Sequence, residues 1–299
     1  MEEAIVHHGA QVMKRKMYRV TSIDLLRGLV MIIMALDHTR DIFHNQSQTG
    51  NPLDLRTTFP LLFFTRWITH FCAPVFAFLA GTSIYLQGIR KTRKELSLFL
   101  LKRGIWLILI DFFLMSFIMT FNIHFSFLVL EVLWAIGGSM ILTALVMFLP
   151  YRVILCLGLL IVSGHNLLDY WEQSHGPIFP LWYSLLHRQG FYPIGKSHLL
   201  GILYPLLPWL GIVLCGYCFG KIFERYKVQK IRKKKILLIG GIGLILFILL
   251  RFVNIYGDPG QWSVQKNGLY TLLSFINVQK YPPSLLFTCL TLGPSLLFL

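Results

Sequence analysis

The sequence predicts an all-α fold: a polytopic bundle of about eight transmembrane helices, N-terminus in the cytoplasm. Three observations predict it. Of the 299 residues, 55% are hydrophobic and only 14% charged, where a soluble chain carries about 25% charged residues. The mean hydropathy is +0.63. The apolar residues also gather in runs close to the ~20 residues a helix needs to cross a ~30 Å hydrocarbon layer. None alternates like the ~10-residue strand of a membrane barrel. In lipid, each backbone amide must be paired within its own segment, and that selects helices.

The spans are expected at 22–42, 67–87, 104–121, 124–149, 153–168, 199–220, 235–252 and 283–299, after a cytoplasmic tail over 1–21. Lys14, Arg15, Lys16 and Arg19 precede the first run without a small-residue cleavage site behind it, so it reads as a permanent span, not a signal peptide. If the spans alternate from an inner N-terminus, 20 of the 28 Lys and Arg residues fall on the inner side, as the positive-inside rule requires.

This asymmetry accounts for the net charge of +15. "RKTRKE" and "KVQKIRKKK" lie between spans, so they read as topology signals touching anionic head groups. The expected partner is the lipid bilayer, with no nucleic acid. The five cysteines sit in apolar stretches and form no secreted disulfide framework. Gly216-x-x-x-Gly220 fits close helix packing, and Cys215-x-x-Cys218 reads as small packing residues. The histidines show no ligand spacing, so no metal is expected.

The first span, "SIDLLRGLVMIIMALDHTRD", holds the main chemical signal. Thr21 with Asp24 three residues on fits a capping box that starts the helix. His38 follows Ser22 by 16 residues, a rise of about 24 Å that puts it just inside the outer boundary. Asp37 and Arg40 stand at i,i+3, as do His38 and Asp41, so each pair shares a face. A carboxylate there could hold one imidazole nitrogen as N–H and leave the other as a base. A charge at mid-bilayer costs about 2.5–3.5 kcal/mol, so such groups face a bundle interior or a wet cavity. Arg40 and Asp41 serve equally as the wet end of a helix.

The later spans add candidates. His70 lies near the outer entrance of the second span, at a depth like that of His38. Asp111 sits in the third span and Glu131 in the fourth, and both need partners in the bundle. His165, Asn166 and Asp169 close the fifth on the outer side. The loops at 43–66, 165–198 and 253–282 are outer. The second carries Tyr170, Trp171, Trp182 and Tyr183, which fit an interfacial aromatic belt or a lid over a sugar.

"SIDLLRGLVMIIMALDHTRD" followed by "FFTRWITHFCAPVFAFLAGTSIYL" resembles the catalytic-domain family of heparan-alpha-glucosaminide N-acetyltransferase, in its bacterial membrane-protein branch. "LYPLLPWLGIVLCGYCFG" and "VQKYPPSLLFTCLTLGPSLL" look like later blocks of the same branch. The D-x-x-R-G pattern with a histidine about ten residues on also resembles the wider membrane acyltransferase superfamily.

The resemblance implies transmembrane acetylation, in which cytosolic acetyl-CoA is the cosubstrate and a glycan amine or hydroxyl on the far side is the acceptor. It makes Asp24, Arg27 and Gly28 the D-x-x-R-G element. It makes His38, or else His44, the base or acetyl carrier. Asp37 or Asp41 would orient that histidine, and His70 would be the reserve base or oxyanion partner. Arg40, Asp111 and Glu131 join Asp24, Arg27 and Gly28 as structural or substrate-positioning residues. Arg90, Lys91, Lys102 and Arg103 at the inner mouth would bind the phosphates of acetyl-CoA.

Family members run on beyond "LGPSLLFL" into further spans, so the domain over 22–299 is expected to lack its C-terminal spans. The expected location is a bacterial inner membrane, and a homo-oligomer is compatible with it. Two alternatives remain. One is a proton-coupled transporter of a small solute, with Asp37, His38, Asp111 and Glu131 as a relay. The other is a non-catalytic scaffold.

Overall fold

The computed structural model describes residues 20–43, 50–176 and 178–299. The tail before residue 20, His44 and the side chain of Asp41 lie outside the described residues.

The protein is mostly helical. Helix α1 (Thr21–Phe43) is followed by a broken helix: α2 (Pro60–Trp67), a 3₁₀ turn (Ile68–Phe71) and α3 (Cys72–Gly88). Next come α4 (Arg93–Leu109), a π turn (Ile110–Met115), α5 (Ser116–Thr120), strand β1 (Phe127–Leu130) and α6 (Val132–Val146). Then follow α7 (Tyr151–Gly164), α8 (Leu167–Ser174), α9 (Leu181–Leu186), β2 (Gly190–Ile194) and β3 (His198–Ile202). The chain closes with α10 (Leu206–Arg225), α11 (Gln229–Val253), α12 (Gly268–Ile276) and α13 (Leu285–Phe298).

Among the described residues, three stretches are long and apolar enough to cross a membrane: Pro60–Gly88, Leu206–Arg225 and Gln229–Val253. The pair α7 and α8, bent by 41°, makes a fourth if it counts as one span. Helices α6 and α13 are apolar but shorter, with a rise of only about 21–23 Å each. Helix α1 has the length, but Asp24, Arg27, Asp37 and Arg40 interrupt it.

Two expected spans are corrected. The run 124–149 is not one helix: Phe127–Leu130 is a strand, and the helix starts only at Val132. Likewise 199–202 belongs to β3, and its helix starts at Leu206. The strands form one sheet in the order β1-β3-β2, with β1 parallel to β3 from Phe127↔Leu199 to Leu130↔Ile202, and β2 antiparallel to β3. Short apolar runs fit a buried strand as well as a helix, and pairing in space decides between them. Ser116 Oγ also accepts the Val129 N–H at 3.0 Å, so β1 leaves that amide satisfied.

Small residues let the long helices touch at backbone distance. A Cβ on Gly81 would lie 2.0 Å from the Val213 carbonyl oxygen, and one on Gly216 would lie 2.0 Å from that of Phe78. The Thr82 hydroxyl donates to the Gly216 carbonyl at 3.1 Å. Packing of this kind replaces the hydrophobic drive that lipid removes. Trp209, Leu79, Ile84, Ile212 and Val213 fill the seam of α3 and α10, each 1% exposed or less.

The sheet and helix pairs together position the site. Leu203 N–H and Tyr204 N–H both meet the Leu130 carbonyl, at 3.0 and 3.3 Å. That fixes Glu131, at the end of β1, beside Leu203 and Tyr204, at the end of β3.

Candidate active site

A cavity of about 880 Å³ lies against one side of α1 and extends along it. Helix α1 contributes Arg27 towards one end and Asp37 and His38 towards the other. Eleven residues separate Arg27 from His38 on one continuous helix, a rise of about 16 Å. The α3 residues follow the same axis in the opposite sense: Ser83 meets Arg27, and Cys72 Sγ donates to the Val30 carbonyl at 3.4 Å.

The Arg27 end is basic. Arg27 donates from Nη2 to the Leu79 carbonyl at 3.2 Å and to the Ser83 hydroxyl, and lies 3.8 Å from Asp24. Arg103 lines the wall near it, its guanidinium 6.0 Å from the Phe99 ring centroid. Of the four cations expected at the inner mouth, Arg103 alone lines the cavity; Arg90, Lys91 and Lys102 are exposed and do not. Gly28 has nothing within 4 Å of a built Cβ, so close packing within this chain does not require glycine there.

At the opposite end, charges are concentrated. Asp37, 9% exposed, accepts from Arg66 at 2.9 and 3.1 Å, from the Thr69 hydroxyl at 2.9 Å and from Arg40. Arg40 also donates to the Thr65 carbonyl at 3.0 Å. The expected i,i+3 pair with Arg40 is present. The expectation that Asp37 orients His38 is not met among the described residues, because both carboxylate oxygens are committed to α2 and the 3₁₀ turn. His38 is exposed and lines the cavity.

His70 follows Thr69 in the 3₁₀ turn beside this charged end, but not in the cavity wall. Its ring is 1% exposed, lies 5.3 Å from the Phe287 ring centroid and does not line the cavity. Among the described residues, neither ring nitrogen has a hydrogen-bond partner.

Asp111 and Glu131 take different parts. Asp111 is fully buried in the π turn, and its Oδ2 accepts the Glu131 N–H at 2.6 Å. It therefore supplies from another helix the acceptor that the first amides of α6 lack. Glu131 is half-buried and lines the cavity.

The segment from α7 to β2 builds a second polar cluster. His165 Nδ1 meets His187 Nε2 at 3.1 Å, and His187 Nδ1 meets Glu172 Oε1 at 2.6 Å. The Tyr183 hydroxyl donates to that same oxygen at 2.9 Å. A carboxylate only accepts, so His187 Nδ1 carries a proton. Asp169, Glu172 and His187 bring one donor atom each within 4.8 Å of one another. Arg188 lies 3.4 Å from Glu172, so a positive charge already faces the trio. A smaller cavity of about 390 Å³ opens beside it, lined by Asn166, Asp169, Tyr170 and Asp258 among others. Burial pushes the Asp258 carboxyl above its ordinary range.

The family model described as "Heparan-alpha-glucosaminide N-acetyltransferase, catalytic" matches residues 19–251. The chain belongs to that family. No curated protein matches it. The heparan-alpha-glucosaminide N-acetyltransferase catalytic family is one of membrane acetyltransferases that in general take acetyl-CoA as donor, and the long apolar helices agree with an integral membrane protein.

The family match takes in Arg27, Asp37, His38, Arg66, Arg103 and Glu131 of the cavity wall. Lys280 and Tyr281, which also line it, follow the matched stretch. These two, with Arg66 and Tyr204, are among the wall residues that sequence reading did not single out. Only the weak sign of a lysine beside "YPP" at the head of an apolar run pointed to Lys280.

Proposed function

We propose that the protein is an integral membrane acetyltransferase that moves an acetyl group from cytosolic acetyl-CoA to an amine or hydroxyl of an extracytoplasmic glycan. In this reading the N-terminus is cytoplasmic, about eight segments traverse or enter the bilayer, and the membrane is a bacterial inner membrane. One observation carries it: a single cavity has two arginines towards one end and an exposed imidazole about 16 Å along the same helix.

Arg27 and Arg103 suit the phosphates of a donor entering from inside. The apolar stretch between them and His38, which includes Phe76 and Ile136, suits an extended, largely uncharged arm. His38 acts as general base towards the acceptor or takes the acetyl group itself. Asp41 is the other carboxylate that the i,i+3 spacing offers to orient it, since Asp37 is held by Arg40 and Arg66. Asp37 instead fixes the end of α1 against α2. The acetyl donor, when bound, supplies an activated thioester.

Thermal unfolding in detergent with and without acetyl-CoA tests the reading. Saturating acetyl-CoA at 100 times its dissociation constant raises stability by about 2.7 kcal/mol, and His38→Ala abolishes acetyl transfer without removing that gain. No stabilisation by acetyl-CoA, together with solute uptake into vesicles, would favour a carrier instead.

A further inference from the structure

Lys280 is 8% exposed and lines the end of the cavity that holds Asp37 and His38. Among the described residues, no carboxylate or carbonyl accepts from its ammonium. Its described contact is the face of Tyr281, 5.0 Å away at the ring centroid. Asp37, the neighbouring carboxylate, already takes Arg66, Arg40 and Thr69. The hydroxyls of Tyr204 and Tyr281 stand 3.1 Å apart. Only one proton lies between two such oxygens, so the second hydroxyl proton is available to another acceptor.

Withdrawing an ammonium from water costs several kcal/mol unless an anion compensates it. Asp37 and Glu131, the carboxylates of the same wall, face the Lys280 charge, yet among the described residues neither bonds it, while Arg40 and Arg66 are bonded to Asp37. An ammonium and a hydroxyl that reach the cavity at its reacting end without a bonded carboxylate there suit negative charge that arrives only during reaction.

We propose that Lys280, with the available hydroxyl of the Tyr204–Tyr281 pair, stabilises the oxygen anion that forms on the acetyl carbonyl during transfer. This rests on the acetyltransferase reading and names a catalytic residue beyond the family match. The acceptor's lone pair adds to the carbonyl carbon, and the C=O π pair moves onto oxygen. Lys280 donates a hydrogen bond to that oxygen and keeps its proton. When the C=O bond re-forms, the C–S bond breaks. The sulfur leaves with its electron pair and receives the proton that His38 removed from the acceptor. No group is oxidised or reduced.

The test uses the full chain in proteoliposomes, with acetyl-CoA as donor and glucosamine as the acceptor probe. Lys280→Met lowers kcat about 100-fold or more, the effect of deleting one oxyanion donor, with both KM values kept within about threefold. Lys280→Arg recovers part of the loss. In infrared spectra of bound [1-¹³C]acetyl-CoA, the carbonyl band lies below its solution frequency in the wild type and returns to it in Lys280→Met. Lys280→Gln carries the same readings if Lys280→Met does not fold. A kcat within about threefold of wild type, an unmoved carbonyl band, or a raised KM for glucosamine with kcat kept would each overturn the proposal. The last would make Lys280 a binding charge for the acceptor. A wild type that neither binds acetyl-CoA nor transfers acetyl overturns the acetyltransferase reading as well. An active wild type matched by Lys280→Met overturns this inference alone.

Discussion

Arg66 holds both oxygens of Asp37 through one nitrogen, Nη1, at 2.9 and 3.1 Å. The pair ties α1 to α2 across 29 residues of sequence, at the end of the cavity where His38 stands. Asp37→Ala removes the carboxylate and leaves two largely buried guanidiniums facing each other. Breaking a buried pair in this way costs about 3–5 kcal/mol. Thermal unfolding in detergent should show that loss, and Asp37→Ala/Arg66→Met should recover part of it. An undiminished melting temperature with only kcat reduced would instead make Asp37 a catalytic orienter.

Asp111 makes a quieter contribution. Because its Oδ2 caps the start of α6 from the π turn, Asp111→Ala should cost about 1–2 kcal/mol, the usual worth of a lost N-terminal cap. Asp111→Asn keeps an acceptor oxygen and should cost less. The KM for acetyl-CoA should stay unchanged in both. A proton relay through Asp111, as a transporter would use, would make Asp111→Asn as damaging to function as Asp111→Ala.

Gly81 and Gly216 place α3 and α10 in backbone contact. Either one changed to alanine forces a methyl group into a carbonyl oxygen 2.0 Å away, and rigid backbone on both sides cannot give. Overpacking typically costs about 1–3 kcal/mol, and these positions should lie at the upper end. The yield of folded protein by size-exclusion chromatography would report it. Gly28→Ala, with nothing near its Cβ, should leave the yield intact.

Arg103 and Lys102 are sequence neighbours with different surroundings, since only Arg103 lines the cavity. A charge-assisted hydrogen bond is worth about 1.5–3 kcal/mol, so Arg103→Gln should raise the KM for acetyl-CoA about tenfold or more. Lys102→Gln should leave it near wild type. Equal effects of the two would mean that the basic surface acts as a diffuse field, not as a defined phosphate contact.

What could be read from sequence follows what is local. Asp37 with Arg40 and the Gly216 packing position are set by spacing along one helix, so counting residues finds them. The strand at Phe127–Leu130 escaped because "FLVL" is as apolar as any helix, and its partner at Leu199–Ile202 is some seventy residues away. Arg66 escaped for a similar reason: it reads as a loop-edge cation until α2 folds back on α1. Lys280 was counted as an outer charge, and only the approach of the segment before α13 to α1 and α6 turns it into a wall of the cavity. His187 and Glu172 likewise meet only when α9 folds back on α8. At His70, the Phe287 ring beside it could not be read from spacing along one span.

The most direct measurement is a sided transfer assay. Proteoliposomes hold glucosamine inside, acetyl-CoA is added outside, and protein oriented with its basic face outward is scored for N-acetylglucosamine in the lumen. Transfer through the bundle predicts lumenal product in the wild type with no acetyl-CoA crossing, and about 100-fold less or lower still in His38→Ala. Full activity in His38→Ala, or product only when donor and acceptor share one side, would contradict it.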